Sequence, residues 1–207
     1  MTLRLNLLAL GLGLLLSLVG SSARSAGPAQ LDWSRHESAL VLRLEERSDK
    51  LAQVEPLVVE LWGDGRLVAR RPEPYANAGV FETRLPQQEM ERVLRRLASP
   101  AFVDFEAGRV EDEKQELVRA RRAAAEARGE SPPLHYRSEK ERVSLELHLS
   151  KYREEGGRAP RVVDQLVEWR GLRQDLDEFS GHESLEGLAA AVEVARELLA
   201  LATGSDR

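Results

Sequence analysis

The residues that could do acid–base, nucleophilic or metal chemistry are few and scattered. Four histidines occur, at His36, His135, His148 and His182. No two stand three or four residues apart, so no helical pair of metal ligands forms. The acidic runs are Glu111–Glu113 ("EDE") and Asp175–Phe179 ("DLDEF"). The second lacks the alternating oxygen ligands and distal glutamate of a calcium loop and reads as a charged turn. The first reads as the acidic opening of a helix. No serine sits in a nucleophile elbow, and "GDGR" lacks the length and the Lys-Ser/Thr ending of a phosphate loop. There is no cysteine, which excludes thiol chemistry, thiolate metal sites, disulfides and lipid attachment at cysteine. No catalytic residue, metal site or cofactor site is expected.

Binding is the chemistry these residues support better. Trp62 lies on an expected strand with Arg66 and Arg70 on the next one, and Trp and Arg are the side chains that most often anchor a partner. Trp62, Arg66 and Arg70 are therefore the candidate interaction surface. The competing reading is that Trp62, Trp169 and Trp33 complete the core.

The stretch that positions this surface is "LWGDGRLV", Leu61–Val68. A two-residue turn at Asp64-Gly65 would mix apolar and charged residues on both sheet faces. A three-residue loop of Gly63, Asp64 and Gly65 pairs Leu61 with Leu67 and Val59 with Ala69. One face is then wholly apolar, and the other carries Val58, Glu60, Trp62, Arg66, Val68 and Arg70. The register with one clean buried face is preferred, which gives Asp64 the task of bonding nearby backbone at the tip.

Other segments follow the same periodicities. Strand alternation runs through Leu40, Leu42 and Leu44, with Val41, Arg43 and Glu45 opposite. It recurs through Phe81, Thr83 and Leu85, and through Val143, Leu145, Leu147 and Leu149. "PQQEMERVLRRLASP" spaces Met90, Val93, Leu94 and Leu97 as one helical stripe, with Pro86 suited to the first turn and Pro100 just past the end. "AFVDFE" is a short strand or packed connection. An Ala-rich charged helix inserted over 107–133 shows a thin apolar face of Leu117, Val118 and alanines. "RVVDQLVEWRGL" is compatible with helix or strand, and pairing it back across the Gly156-Gly157 loop as a hairpin is preferred. The closing helix carries Leu185, Leu188, Ala189, Val192 and Leu199. The expectation is an α+β fold: an antiparallel sheet of about five to six strands, two helices packed on one face, and the inserted charged helix.

The first residues tell of destination. After Arg4, the apolar run Leu7–Val19 is 13 residues long, short of the roughly 20 a spanning helix needs. A small-residue exit follows it. This is the pattern of a signal peptide over 1–23, cut after Ala23 or, as a second choice, after Ala26. The alternative is an uncleaved amino-terminal anchor. A linker over 24–38 and one domain over 39–204 complete the expected organisation. Formal charge is −5, which gives no electrostatic case for nucleic acid. Of the 30 basic residues four are lysines and 26 arginines, a bias that fits a GC-rich genome.

"LWGDGRLV", the strand after it and "LPQQEMERVLRRLASPAFVDFE" resemble a family of uncharacterised secreted bacterial domains, built from a hairpin with a Gly-Asp-Gly tip, a third strand, a helix, later strands and a closing helix. The resemblance covers Leu40 to Phe105 and, more loosely, Val143 to Leu201. It implies a fold and no reaction, and the charged insertion departs from it. The expected function is an exported, non-catalytic binding module of the envelope, periplasmic or secreted, with a protein partner, no nucleic acid and no membrane span once the signal is cut. It would use its uncovered sheet face or the inserted helix. The alternatives are a small envelope hydrolase with an acid–histidine site and a purely structural envelope component.

Overall fold

The computed structural model describes residues 29–48, 53–73, 75, 77–130, 141–157 and 159–204. The expected signal peptide, its cleavage positions and His135 lie outside the described residues. The strands are β1 (Gln30–Asp32), β2 (Leu40–Ser48), β3 (Leu57–Trp62), β4 (Arg66–Arg71), β5 (Gly79–Arg84), β6 (Glu141–Arg153) and β7 (Arg161–Arg170). The helices are α1 (Gln87–Leu97), α2 (Pro100–Val103), α3 (Ala107–Ala127), α4 (Leu172–Glu178) and α5 (Glu183–Thr203).

All strand pairs are antiparallel, in the spatial order β7-β6-β2-β3-β4-β5. The long β6 also carries β1: Tyr152 pairs Leu31 on one side and Arg161 on the other. The fold is thus α+β as expected, with seven strands among the described residues. The extra one comes from the segment read as a linker. Gln30–Asp32 is too short to show alternation, but its backbone completes the far end of β6, and the adjoining Trp33 is buried.

One face of the sheet is the core. Leu42, Leu44, Val59, Leu61, Leu67, Ala69, Leu145 and Leu147 have no solvent exposure. They pack with the α1 stripe Met90, Val93, Leu94 and Leu97, as its spacing requires, and with Leu185, Leu188, Val192 and Leu199 of α5. β6 buries all four residues of its predicted face, and β7 is the strand its hairpin pairing implied. Three details differ from the sequence reading. A bulge between Leu40 and Leu42 turns Val41 inward, leaving it 1% exposed. "AFV" is the short helix α2, begun by Pro100 at its first position, where a missing N–H costs nothing. The charged turn at Asp175 is the helix α4, whose amino end is Gly171 in the left-handed region (φ 78°).

Ion pairs tie the helical layer together and to the sheet. Arg96 of α1 meets Glu197 of α5 through two bonds of 2.5 and 2.7 Å. Arg196 of α5 reaches Glu46 of β2 at 2.6 and 2.9 Å. Among the described residues no helix is long and apolar enough to cross a membrane.

Candidate functional site

The β3–β4 hairpin has the three-residue loop that parity demanded. Leu61 pairs with Leu67, and Val59 with Ala69. Gly65 takes φ 90° and its N–H donates to the Trp62 carbonyl at 2.9 Å. The Arg66 N–H donates to Asp64 Oδ1 at 3.1 Å, and Arg84 holds Asp64 Oδ2 at 2.7 Å. Asp64 is therefore a turn residue with both oxygens occupied. Gly63 does more than turn. A Cβ there would meet the carbonyl oxygens of Ser34 and His36 at 2.1 and 2.6 Å, so the tip is clamped under the chain that follows β1.

The second face of the sheet carries the other set of side chains. Reading across the ladders, one row is Leu166, Glu146, Arg43, Glu60, Val68 and Glu82. The next is Glu168, Ser144, Glu45, Val58, Arg70 and Val80. Acids and bases are interleaved, and most of this face is neutralised internally. Glu60 is buried and accepts from Arg70 at 3.1 Å with Arg43 at 4.0 Å. Arg43 and Arg47 both meet Glu45, at 3.1 and 2.8 Å. The long side chains shield Val58 and Val68, while Arg70, Arg84 and Asp164 remain open to solvent.

Trp62 and Arg66 stand apart from this pattern. They flank the loop on the open face, with the Arg66 guanidinium carbon 4.6 Å from the Trp62 ring centre, a cation–π contact. Among the described residues Arg66 has no carboxylate partner. Trp62 is half-buried, yet its Nε1 is shielded and has no acceptor among the described residues. Of the three expected surface residues, the structure puts Trp62, Arg66 and Arg70 on one face. It spends Arg70 on Glu60 and leaves Trp62 and Arg66 uncommitted. Trp33 and Trp169 do complete the core.

Among the described residues neither His148 nor His182 meets Asp175. His148 lies between two carboxylates, Nε2 at 2.8 Å from Glu146 and Nδ1 at 2.6 Å from Asp164. His182 sits at the start of α5 with Nε2 2.9 Å from Glu113, out of hydrogen-bond alignment. Asp175 is engaged elsewhere. Among the described residues no group of three or more His, Asp or Glu side chains is placed to hold a metal.

The constellation that sequence reading missed lies under α3. This helix packs on β7, and its inward line runs Val110, Lys114, Val118 and Ala125, with Leu117 turned out to solvent. Lys114 is only 5% exposed, and its Nζ donates to Asp175 Oδ2 and to Glu111 Oε2, both at 2.8 Å. Trp169 of β7 donates Nε1 to the same Asp175 oxygen at 2.8 Å. The ammonium is also 4.8 Å from the Trp169 ring and 5.7 Å from that of Phe179. A lysine on the apolar line of a helix breaks the amphipathic rule, and such breaks concentrate at sites with a task beyond packing. A buried ion pair adds little stability over an apolar pair of equal volume. A cleft of about 250 Å³ opens beside it.

No family model matches the chain, and neither a curated protein nor a solved structure matches it.

Proposed function

We propose that this chain is an exported, non-catalytic interaction module that engages a protein partner through the open face of its sheet. The observation that carries the reading is the Trp62–Arg66 pair. Around it Glu60, Arg43, Arg70, Glu45 and Glu146 are each matched to an ionisable neighbour. At this point an aromatic ring and a guanidinium with no carboxylate partner among the described residues stand together at the edge of an uncovered face. Large amphipathic side chains of this kind supply most of the energy at protein interfaces. The neutralised rows around them fit a polar rim, where complementarity matters more than net charge.

The first residues support an extracytoplasmic address. Arg4, the Leu7–Val19 run and the Ser-Ala exit belong to a cleavable signal. The mature protein would then start near Arg24 or Gly27 and work in the periplasm or outside the cell.

A photo-cross-linking residue placed at Glu82, on the open face, should trap the partner in the native envelope. The same residue at Asp112, on the outer side of α3, should not. Recovery of the protein alone from both positions, at every salt concentration, contradicts the reading. The address has its own check: an intact chain with its first 23 residues, found in the cytoplasm, removes the export claim.

A further inference from the structure

We propose that the cleft between α3 and the end of α4 binds a small carboxylate with an apolar body, an aryl or short alkyl acid. The floor is Phe179 and Val118, one wall is Lys114 with Glu111, and the mouth carries Arg119 and Arg122. Four observations converge on that ligand.

The first is the spare donor. A lysine ammonium has three N–H groups. Two are satisfied by Asp175 and Glu111, and among the described residues the third meets aromatic rings, Trp169 at 4.8 Å and Phe179 at 5.7 Å, and no oxygen acceptor. Lys114 is 5% exposed and is one of the residues that line this cleft. A buried charged donor left without an acceptor costs free energy, and an anionic head group in the cleft supplies one.

The second is the sign of the mouth. Formally the site holds three cations, Lys114, Arg119 and Arg122, against two carboxylates, Glu111 and Asp175. Both carboxylates already serve Lys114. Among the described residues Arg119 donates only to the backbone carbonyl of Gln115, and Arg122 has no partner. These positions are one turn apart on a helix, so both guanidinium groups can reach one anion.

The third is the apolar floor. Phe179 is held in place by cations on two sides, Lys114 at 5.7 Å and Arg121 at 5.3 Å, and Arg121 is itself fixed by the Glu178 carbonyl at 3.0 Å. Phe179 is 4% exposed and backs the partly exposed Val118, an apolar lining that a ligand with only a charge would leave unused. A carboxylate with a ring or short chain covers it.

The fourth is size. A cleft of about 250 Å³ suits a small molecule and not a folded partner.

Trp169 reports on the site without lining it, because its indole N–H bonds to the Asp175 oxygen that Lys114 shares. Two-dimensional nitrogen–proton spectra of the whole chain resolve three indole resonances, assigned with Trp33→Phe and Trp62→Phe. At constant ionic strength, benzoate and hexanoate are titrated against benzyl alcohol, hexanol, acetate and chloride. The expected result is a saturable shift of the Trp169 indole with benzoate or hexanoate, and a much weaker response to the other four. The double variant R119E/R122E changes only exposed side chains, so it keeps the fold, and it should weaken binding by about tenfold or more, the loss of roughly one charge-assisted contact. The proposal is overturned by a shift that does not saturate, by equal shifts with benzyl alcohol or with chloride, or by unchanged binding in R119E/R122E.

Discussion

The β3–β4 hairpin and the α3 insertion hold their residues in place by opposite means. In the hairpin the constraints that set the register are local. Leu61 and Leu67 are six residues apart, the loop between them has one workable length, and Asp64 satisfies backbone two residues away. In the insertion the decisive contact is Lys114 with Asp175, 61 residues apart in sequence. The hairpin is rigid because backbone meets backbone at Gly63. The insertion is registered on the sheet by a buried charge that has to find its partner. A local constraint fixes shape at small cost, whereas a distant ionic one fixes orientation and leaves a charged group beneath a cleft.

The largest effect should come from breaking the insertion's pin. Lys114→Met leaves Asp175 buried with its cation gone, and unfolding experiments should show a loss of about 3–5 kcal/mol. The double variant K114M/D175L removes both charges and should recover more than half of that loss. No recovery would mean that α3 is held by something other than this pair.

The hairpin has a comparable weak point with a steric cause. Gly63→Ala drives a methyl against two carbonyl oxygens and should cost about 2–3 kcal/mol in a denaturant titration, since backbone on both sides cannot retreat cheaply. The matching change in the insertion has the opposite sign. Gly108, in the first turn of α3, has nothing near its missing Cβ. Gly108→Ala should stabilise by about 0.5–1 kcal/mol through helix propensity. A Gly63→Ala protein as stable as the parent would remove the claim that the tip is clamped.

Outside both regions, the Arg96–Glu197 bridge between α1 and α5 sets the scale of an exposed pair. The hydrogen bond from Arg96 holds the Glu197 carboxyl below its usual range. Its contribution is therefore complete above the unfolded value, about 4.3, and is lost as pH falls through the lower folded value. Both side chains are about half exposed, 49% and 48%, so the effect should be no more than about 0.5 kcal/mol. Glu197→Gln should remove it, seen as a flatter stability profile between mildly and strongly acidic pH.

The difference between the regions also explains how much was legible in the sequence. Strand parity was enough to give the hairpin loop, its buried face and the placement of Trp62, Arg66 and Arg70, because those constraints act within a dozen residues. The α1 stripe and the β6 face were readable for the same reason. In the insertion the expected face of Leu117, Val118 and alanines holds for Val118 and Ala125 and fails for Leu117, because Lys114 carries a charge on the line where periodicity looks for an apolar residue. Asp175 was taken as part of a charged turn, since its partners Lys114 and Trp169 reach it only in the folded chain. β1 was missed because three residues show no period. The Gly171 start of α4 and the inward swing of Val41 depend on backbone geometry that composition does not reveal.

The central claim is that the open face around Trp62 and Arg66 is the interaction surface. Its most direct test is quantitative recovery of the cross-linked partner from native envelopes, comparing the parent protein with Arg66→Glu. This exposed-face change should leave unfolding stability within about 0.5 kcal/mol. It should weaken partner binding by about 2 kcal/mol or more, as for an interface hot spot. Equal recovery by the two proteins, with both folded, would contradict the account.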